Sequence, residues 1–181
     1  MRRVSTPRID PLPYDQWDTD ALSAISGGRR LPPNNVLGLL ARHPALARAF
    51  LTFNAHLLTP SSTLPARTRE LAILRIAWRR RCRYEWAQHV QIARRAGITD
   101  EEIAGIRAGA ATLITRAVDE LDDDSRLSDE TYRELAAELD DRQLMDLVFT
   151  IGTYGLLAMA FNTFGVELEP GLPDGDFEKG T

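Results

Sequence analysis

The 181-residue chain is poor in cysteine, in lysine and in long apolar runs. Its one cysteine, Cys82, cannot close an intramolecular disulfide, which excludes a disulfide-stapled secreted fold and makes the cytoplasm the expected compartment. Lys179 is the one lysine among 22 basic residues, a skew that points to coding bias more than to chemistry. The start, Met1-Arg2-Arg3 and a polar, proline-rich stretch, has no apolar run and does not read as a signal peptide. The most apolar window, 144–161, contains Asp146, Thr150, Thr153 and two glycines. A bilayer span needs about 20 predominantly apolar residues, so this window reads as a buried core or interface helix and no membrane partner is expected. Also lacking are a phosphate-cradling glycine loop, a G-x-S-x-G elbow and a paired-cysteine zinc signature. Nucleotide-binding, serine-hydrolase and zinc-finger readings drop out, and no metal or cofactor is expected.

What is present is a charge split. The net charge of −4 divides into +9 over residues 1–100 and −13 over residues 101–181. A wholly basic nucleic-acid coat is excluded, and no nucleic-acid partner is expected. Much of the basic excess falls at Arg67, Arg69, Arg75, Arg79, Arg80, Arg81 and Arg83. The cluster Asp119 to Asp124 lacks the glycine and ligand alternation of a calcium loop and reads as a solvated acidic face.

At 44% apolar residues, the length suits one compact domain. Residues 1–33 hold half of the ten prolines and read as an extended arm around a short helix near 15–26, lying on its own subunit or on a neighbour. From 34 to 168 apolar residues recur at three- and four-residue spacing. The pattern gives a kinked or doubled helix over 34–58 with a pause at His43-Pro44, a helix from about Pro65 to Trp78, and another over 82–96 stopping at Gly97. Thr99 with Glu102 forms a capping box, and helices follow over 110–121, 129–139 after Ser128, and 141–164. No period-two alternation occurs, so the fold class is all-α, a bundle of six to eight helices. Residues 169–181, rich in Pro, Gly and charge, read as a flexible tail.

The chemistry-bearing stretch is 70–89. At about 100° per residue, Cys82, Glu85 and His89 share one helical stripe with Trp86 beside it as an apolar wall. Glu70 lies on the apolar face of the preceding helix, where a carboxylate is either paired or raised in pKa. Cys82 follows Arg79-Arg80-Arg81 and precedes Arg83 near a helix N-terminus, surroundings that favour a thiolate, although a lone cysteine is also commonly a small buried hydrophobe. His56 could reach a cleft or simply pack, and His43 reads as a capping or surface residue.

Three stretches carry a resemblance: Leu64-Pro65-x-Arg67-x-Arg69-Glu70-Leu71-x-Ile73-Leu74-Arg75, Tyr84-Glu85-Trp86-x-x-His89, and Ala93-x-x-x-Gly97. Over residues 35–165 the chain resembles the carboxymuconolactone decarboxylase family, which includes the alkylhydroperoxidase D-like proteins. The resemblance implies an all-helical subunit of a trimer or hexamer. It also implies a working motif of a glutamate, then Cys-x-x-Cys twelve residues on, then a histidine four residues after the second cysteine. Glu70, Cys82 and His89 fall on that register, and Glu85 stands in the second cysteine's place. A disulfide cycle within the motif is therefore closed to this chain, and a one-cysteine cycle needs an external thiol.

The expected function is cofactor-free acid/base chemistry, decarboxylation or isomerisation, on a small anionic carbonyl or lactone substrate. His89 moves the proton, Glu85 orients or charge-tunes it, and Glu70 is a second acid/base or a structural partner. Trp86, Arg81, Arg83 and His56 are the candidate substrate contacts. The alternatives are a one-cysteine, thiol-dependent peroxidase or oxidoreductase working through Cys82, and a non-catalytic oligomeric scaffold.

Overall fold

A computed structural model describes residues 6–23, 32–58 and 62–180. Among them there is no strand, and the backbone is helical in α1 (Thr19–Leu22), α2 (Asn35–Ala41), α3 (Pro44–Leu58), α4 (Ala66–Arg79), α5 (Arg83–Arg95), α6 (Asp100–Ala108), α7 (Leu113–Asp124), α8 (Asp129–Glu138) and α9 (Asp141–Phe164). The all-α expectation is met.

The boundaries follow from capping chemistry. Asn34, Thr99, Thr112, Ser128 and Asp140 each accept a backbone N–H of the first helical turn through the side chain. Gly109 and Gly165 end α6 and α9 in the left-handed conformation. The doubled-helix alternative holds over 34–58: α2 stops at Ala41, Pro44 opens α3, and His43 caps it by accepting from the Leu46 N–H at 3.3 Å. The expected short helix near 15–26 is a 3-10 turn at Tyr14–Gln16 followed by α1, and its last part lies outside the described residues.

The arm rests on its own subunit. Arg8 N–H donates to Phe164 O at 2.8 Å and Leu12 N–H to Gly38 O at 2.9 Å. A Cβ at Gly38 would stand 2.7 Å from Pro11 Cβ, so this close crossing requires glycine. Leu22 completes a small core with Leu37, Ala41, Ala47 and Leu51.

The central element is α4. Its residues Ala72, Ile73, Leu74, Ile76 and Ala77 are all essentially inaccessible, because α5, α7, α9 and α6 surround it. Cationic side chains on such a helix need partners, and α7 supplies them. Arg75 forms a two-pronged pair with Asp119, Nε and Nη2 each at 2.7 Å, and also donates to Ile106 O at 2.8 Å. Arg79 Nε donates to Asp122 at 2.8 Å, and Arg80 Nε reaches the same carboxylate at 2.5 Å. The expectation of a solvated acidic face at Asp119 to Asp124 is thus corrected. Three of these aspartates, Asp119, Asp122 and Asp123, clasp the arginines of α4 and of the turn after it, so part of the charge split along the chain is this pairing.

The tail is corrected as well. Phe177 is buried against Trp78, 5.3 Å between ring centroids, and Trp86 Nε1 donates to Gly175 O at 2.9 Å. Glu169 receives the Asn35 N–H at 2.9 Å, the Tyr84 hydroxyl at 2.6 Å and the Gln88 amide at 2.9 Å. One aromatic side chain and one multiply bonded carboxylate hold down a segment whose composition alone reads as flexible.

Candidate active site

The α4–α5 turn at Arg80 and Arg81 is tight, with Arg81 at φ 54°, and α5 folds back along α4. This antiparallel return sets His89, two turns into α5, opposite Glu70 in the second turn of α4. His89 Nδ1 lies 2.7 Å from Glu70 Oε2, and both residues are buried. Arg69 Nε donates to the other oxygen, Oε1, at 3.3 Å. With that carboxylate accepting from both sides, the ring carries hydrogen on Nδ1 and presents Nε2. Nε2 has no hydrogen-bond partner among the described residues.

Glu85 is one turn before His89 on the same stripe, as the sequence predicts. It is 2% exposed and neither carboxylate oxygen has a hydrogen-bond partner among the described residues. Burial pushes its pKa well above the carboxylate range, and the neighbouring Cys82 thiol offsets only part of that. Two orphaned oxygens in an apolar enclosure are tolerable only on a neutral acid.

Two expectations about roles change here. Glu70, not Glu85, orients His89. Cys82 is not a thiolate: it is fully buried as the residue that opens α5, and that burial drives its pKa upward, against weaker stabilisation from the Tyr84 and Glu85 backbone N–H groups. The surrounding arginines do not compensate. Arg79 and Arg80 are taken by α7, and the Arg81 guanidinium sits 5.0 Å over the Trp78 ring. Arg83 faces the tail carboxylates of Asp174 and Glu178 at 3.7 and 3.8 Å.

The expected substrate contacts therefore move. Arg83 and Trp86 belong to the tail-docking side of α5, with Trp86 packed between Trp78 and Phe177, while Arg81 lies in the turn before α5 over the Trp78 ring. His56 pairs with Asp146 at 2.8 Å. The same carboxylate accepts Thr63 N–H at 2.7 Å, the Thr63 hydroxyl at 2.8 Å and the Ser62 hydroxyl at 3.3 Å. Burial would raise the Asp146 pKa, yet these bonds outweigh it and hold the group below its ordinary value. This is a latch from α9 to the entry of α4, about two turns along α9 from the Glu70–His89 pair.

Tyr154 of α9 is the residue that sequence reasoning missed. Its ring meets the His89 ring edge to face, centroids 4.9 Å apart and planes at 89°. Burial, then the Glu70 charge, push its pKa well up, with Arg69 opposing. Its hydroxyl makes no hydrogen bond among the described residues. The available signal was the run Asp146, Thr150, Tyr154 at four-residue spacing, a polar line down one face of an otherwise apolar helix.

An all-helical bundle of this topology, with a carboxylate and an imidazole paired across adjacent antiparallel helices, is an alkylhydroperoxidase D-like fold. A crystal structure of an uncharacterized peroxidase-related protein from Silicibacter sp. TM1040 superposes with a TM-score of 0.70 at 16% identity, covering 94% of this chain and 93% of that one. Residues 44–118, the stretch that holds Glu70, Cys82, Glu85 and His89, match the model of the Carboxymuconolactone decarboxylase family, the family that the motifs resemble. No curated protein matches the chain in sequence.

Proposed function

We propose that the protein is a cofactor-free lyase or isomerase in which the Glu70–His89 pair transfers a proton to or from a carbon next to a carbonyl. The observation that carries this reading is the 2.7 Å contact that fixes the imidazole and leaves Nε2 without a protein partner. In decarboxylation, the bond from the substrate carbon to its carboxylate breaks and CO2 leaves. The electron pair passes to the adjacent carbonyl as an enolate, and the carbon then takes from His89 Nε2 a proton that this nitrogen first accepts from solvent. One proton is thus consumed per CO2 released. In isomerisation, His89 removes a proton from one carbon and returns it to another, with no net uptake. Glu70 stabilises the imidazolium in either case.

The substrate class is a small anionic keto acid or lactone, and Arg69, at the mouth of the pair, is the cation nearest the reacting groups. The protein works as a homo-oligomer, trimer or hexamer, held by the exposed apolar stripe of α9.

A thiol peroxidase is the second reading, favoured by the name of the superposed structure, peroxidase-related. The buried, protonated state of Cys82 weighs against it.

One experiment separates the two. Across a panel of β-keto acids and unsaturated lactone acids, CO2 release and solvent-deuterium uptake at carbon should fall about 10²–10⁴-fold in His89→Ala. Cys82→Ser should retain both. A folded His89→Ala protein with near-normal turnover removes the acid/base reading. Peroxide consumption that vanishes in Cys82→Ser establishes the other.

A further inference from the structure

Around the Glu70–His89 pair, the polar groups divide into two sets. Glu70 is spent on His89 and Arg69. His89 Nε2, the Glu85 carboxyl and the Tyr154 hydroxyl have no hydrogen-bond partner among the described residues. Glu85 stands one turn before His89 on α5, and the Tyr154 ring of α9 lies against the His89 ring, so the three come from two adjoining helix faces; polar groups without protein partners mark where a ligand's own polar atoms belong.

The three differ in what they offer a ligand. His89 offers a movable proton. Glu85 offers an acid hydrogen but sits deepest, 2% exposed and beside Cys82. Tyr154 offers an O–H anchored by its ring against the imidazole, so it is fixed relative to the proton carrier. An enolate forms when charge moves onto an oxygen two bonds from the carbon being protonated. The donor that meets this oxygen must stand beside the proton carrier, must not move, and must not lose its own proton.

Resting on the acid/base reading above, we propose that the Tyr154 hydroxyl is the oxyanion donor of this site, taking the carbonyl oxygen of an enolisable substrate while His89 serves the neighbouring carbon. No covalent change occurs at Tyr154: its O–H shortens its bond to the oxygen as negative charge develops and relaxes when the carbon is protonated. The burial that keeps the phenol protonated makes it a neutral donor across the range in which proteins work. Arg69, on the far side of Glu70 and electrostatically coupled to Tyr154, adds positive charge to the same region. This division of labour calls for a substrate whose carbonyl oxygen and acidic carbon are neighbours.

4-Nitrophenolate is a chromophoric stand-in for the enolate oxygen. Its absorbance titration with the wild-type protein should give saturable binding with a shifted band. Tyr154→Phe, which removes one oxygen and keeps the ring contact with His89, should weaken binding about 10–100-fold, the loss expected for a hydrogen bond to a charged group. Tyr84→Phe, removing the other buried phenol at its Glu169 contact, should leave the titration unchanged. Circular dichroism and the His89 imidazole NMR titration check that Tyr154→Phe folds and keeps its imidazole.

Equal affinity in Tyr154→Phe and wild type, or no saturable binding by wild type, overturns the proposal. Failure of the acid/base reading looks different. Binding would still depend on Tyr154, while His89→Ala left CO2 release and deuterium uptake unaltered.

Discussion

At the residue scale, the informative group is Glu85. A carboxyl buried with both oxygens unpaired is an expensive feature to keep, and the fold tolerates it by keeping the proton. That choice links stability to pH. In the unfolded chain Glu85 ionises near the ordinary value of about 4.5, whereas in the folded protein it holds its proton to much higher pH. The stability this supplies is fully present below about 4.5 and is lost as pH rises through the folded-state pKa. Glu85→Gln keeps the shape and has no proton to lose. Its stability relative to wild type should therefore improve between pH 5 and 8, with a slope approaching about 1.4 kcal/mol per pH unit. Thermal melts across that range test this, and a difference that stays flat with pH would mean that Glu85 is ionised in the fold. The stripe of Cys82, Glu85 and His89 was legible because helical periodicity alone sets it. Which glutamate meets the imidazole was not, since that depends on how far α5 folds back along α4. Tyr154 was hidden for the same reason: α9 is remote in sequence and meets the site only through packing.

At the element scale, α5 has two working sides. One carries Glu85 and His89 toward α4 and α9, and the other carries Trp86 toward the C-terminal segment. The hinge of this second contact is Gly175, at φ 64°, where a Cβ would lie 3.0 Å from Val90 Cγ2 and 3.1 Å from Trp86 Nε1. Gly175→Ala should lift the segment, expose the Trp78 and Trp86 rings to acrylamide quenching, and cost on the order of 1–2 kcal/mol of stability. Quenching and a urea midpoint that both match wild type would show that Phe177 and Glu169 hold the segment without the tight crossing. Helix limits were readable within a few residues because caps are local chemistry, as at Thr99, Ser128 and Gly165. The docking of the tail was not, because it rests on a single phenylalanine finding a cleft between two tryptophans made by other helices. The arginines around Cys82 misled for a related reason: sequence adjacency suggested a cationic site, but side chains on a central helix turn to the nearest carboxylates, and those belong to α7.

At the scale of the whole molecule, α9 carries both an interior and an exterior argument. Its inner side holds Leu147, Ile151, Tyr154, Ala158 and Phe161 against α4, and its outer side leaves Met145, Val148, Phe149, Leu156 and Met159 exposed, a stripe at helical spacing in which Val148 and Phe149 are neighbours. By length and composition this helix could cross a membrane, yet 61% of its apolar window is buried against the rest of the chain. The outer stripe is continued by Phe53 of α3, whose ring lies 6.2 Å from that of Phe149. Gly152 sits in the middle of the stripe with open space where a Cβ would be, so another helix can approach closely there. An apolar band of this length, with exposures of 52% at Phe149 and 56% at Met159, suits a second copy of the same chain packed helix to helix. Sedimentation at micromolar concentration should give a mass several times the 20.2 kDa of one chain. Phe149→Glu places a charge at the centre of that band and should shift the distribution to monomer. Its helical signal should be preserved, because Phe149 contributes to the surface and not to the core. A monomeric wild type would overturn the oligomer outright. An oligomer unchanged by Phe149→Glu would move the contact away from α9. A monomeric Phe149→Glu protein that still binds 4-nitrophenolate would show that Glu70, Glu85, His89 and Tyr154, all carried by one chain, suffice for that binding.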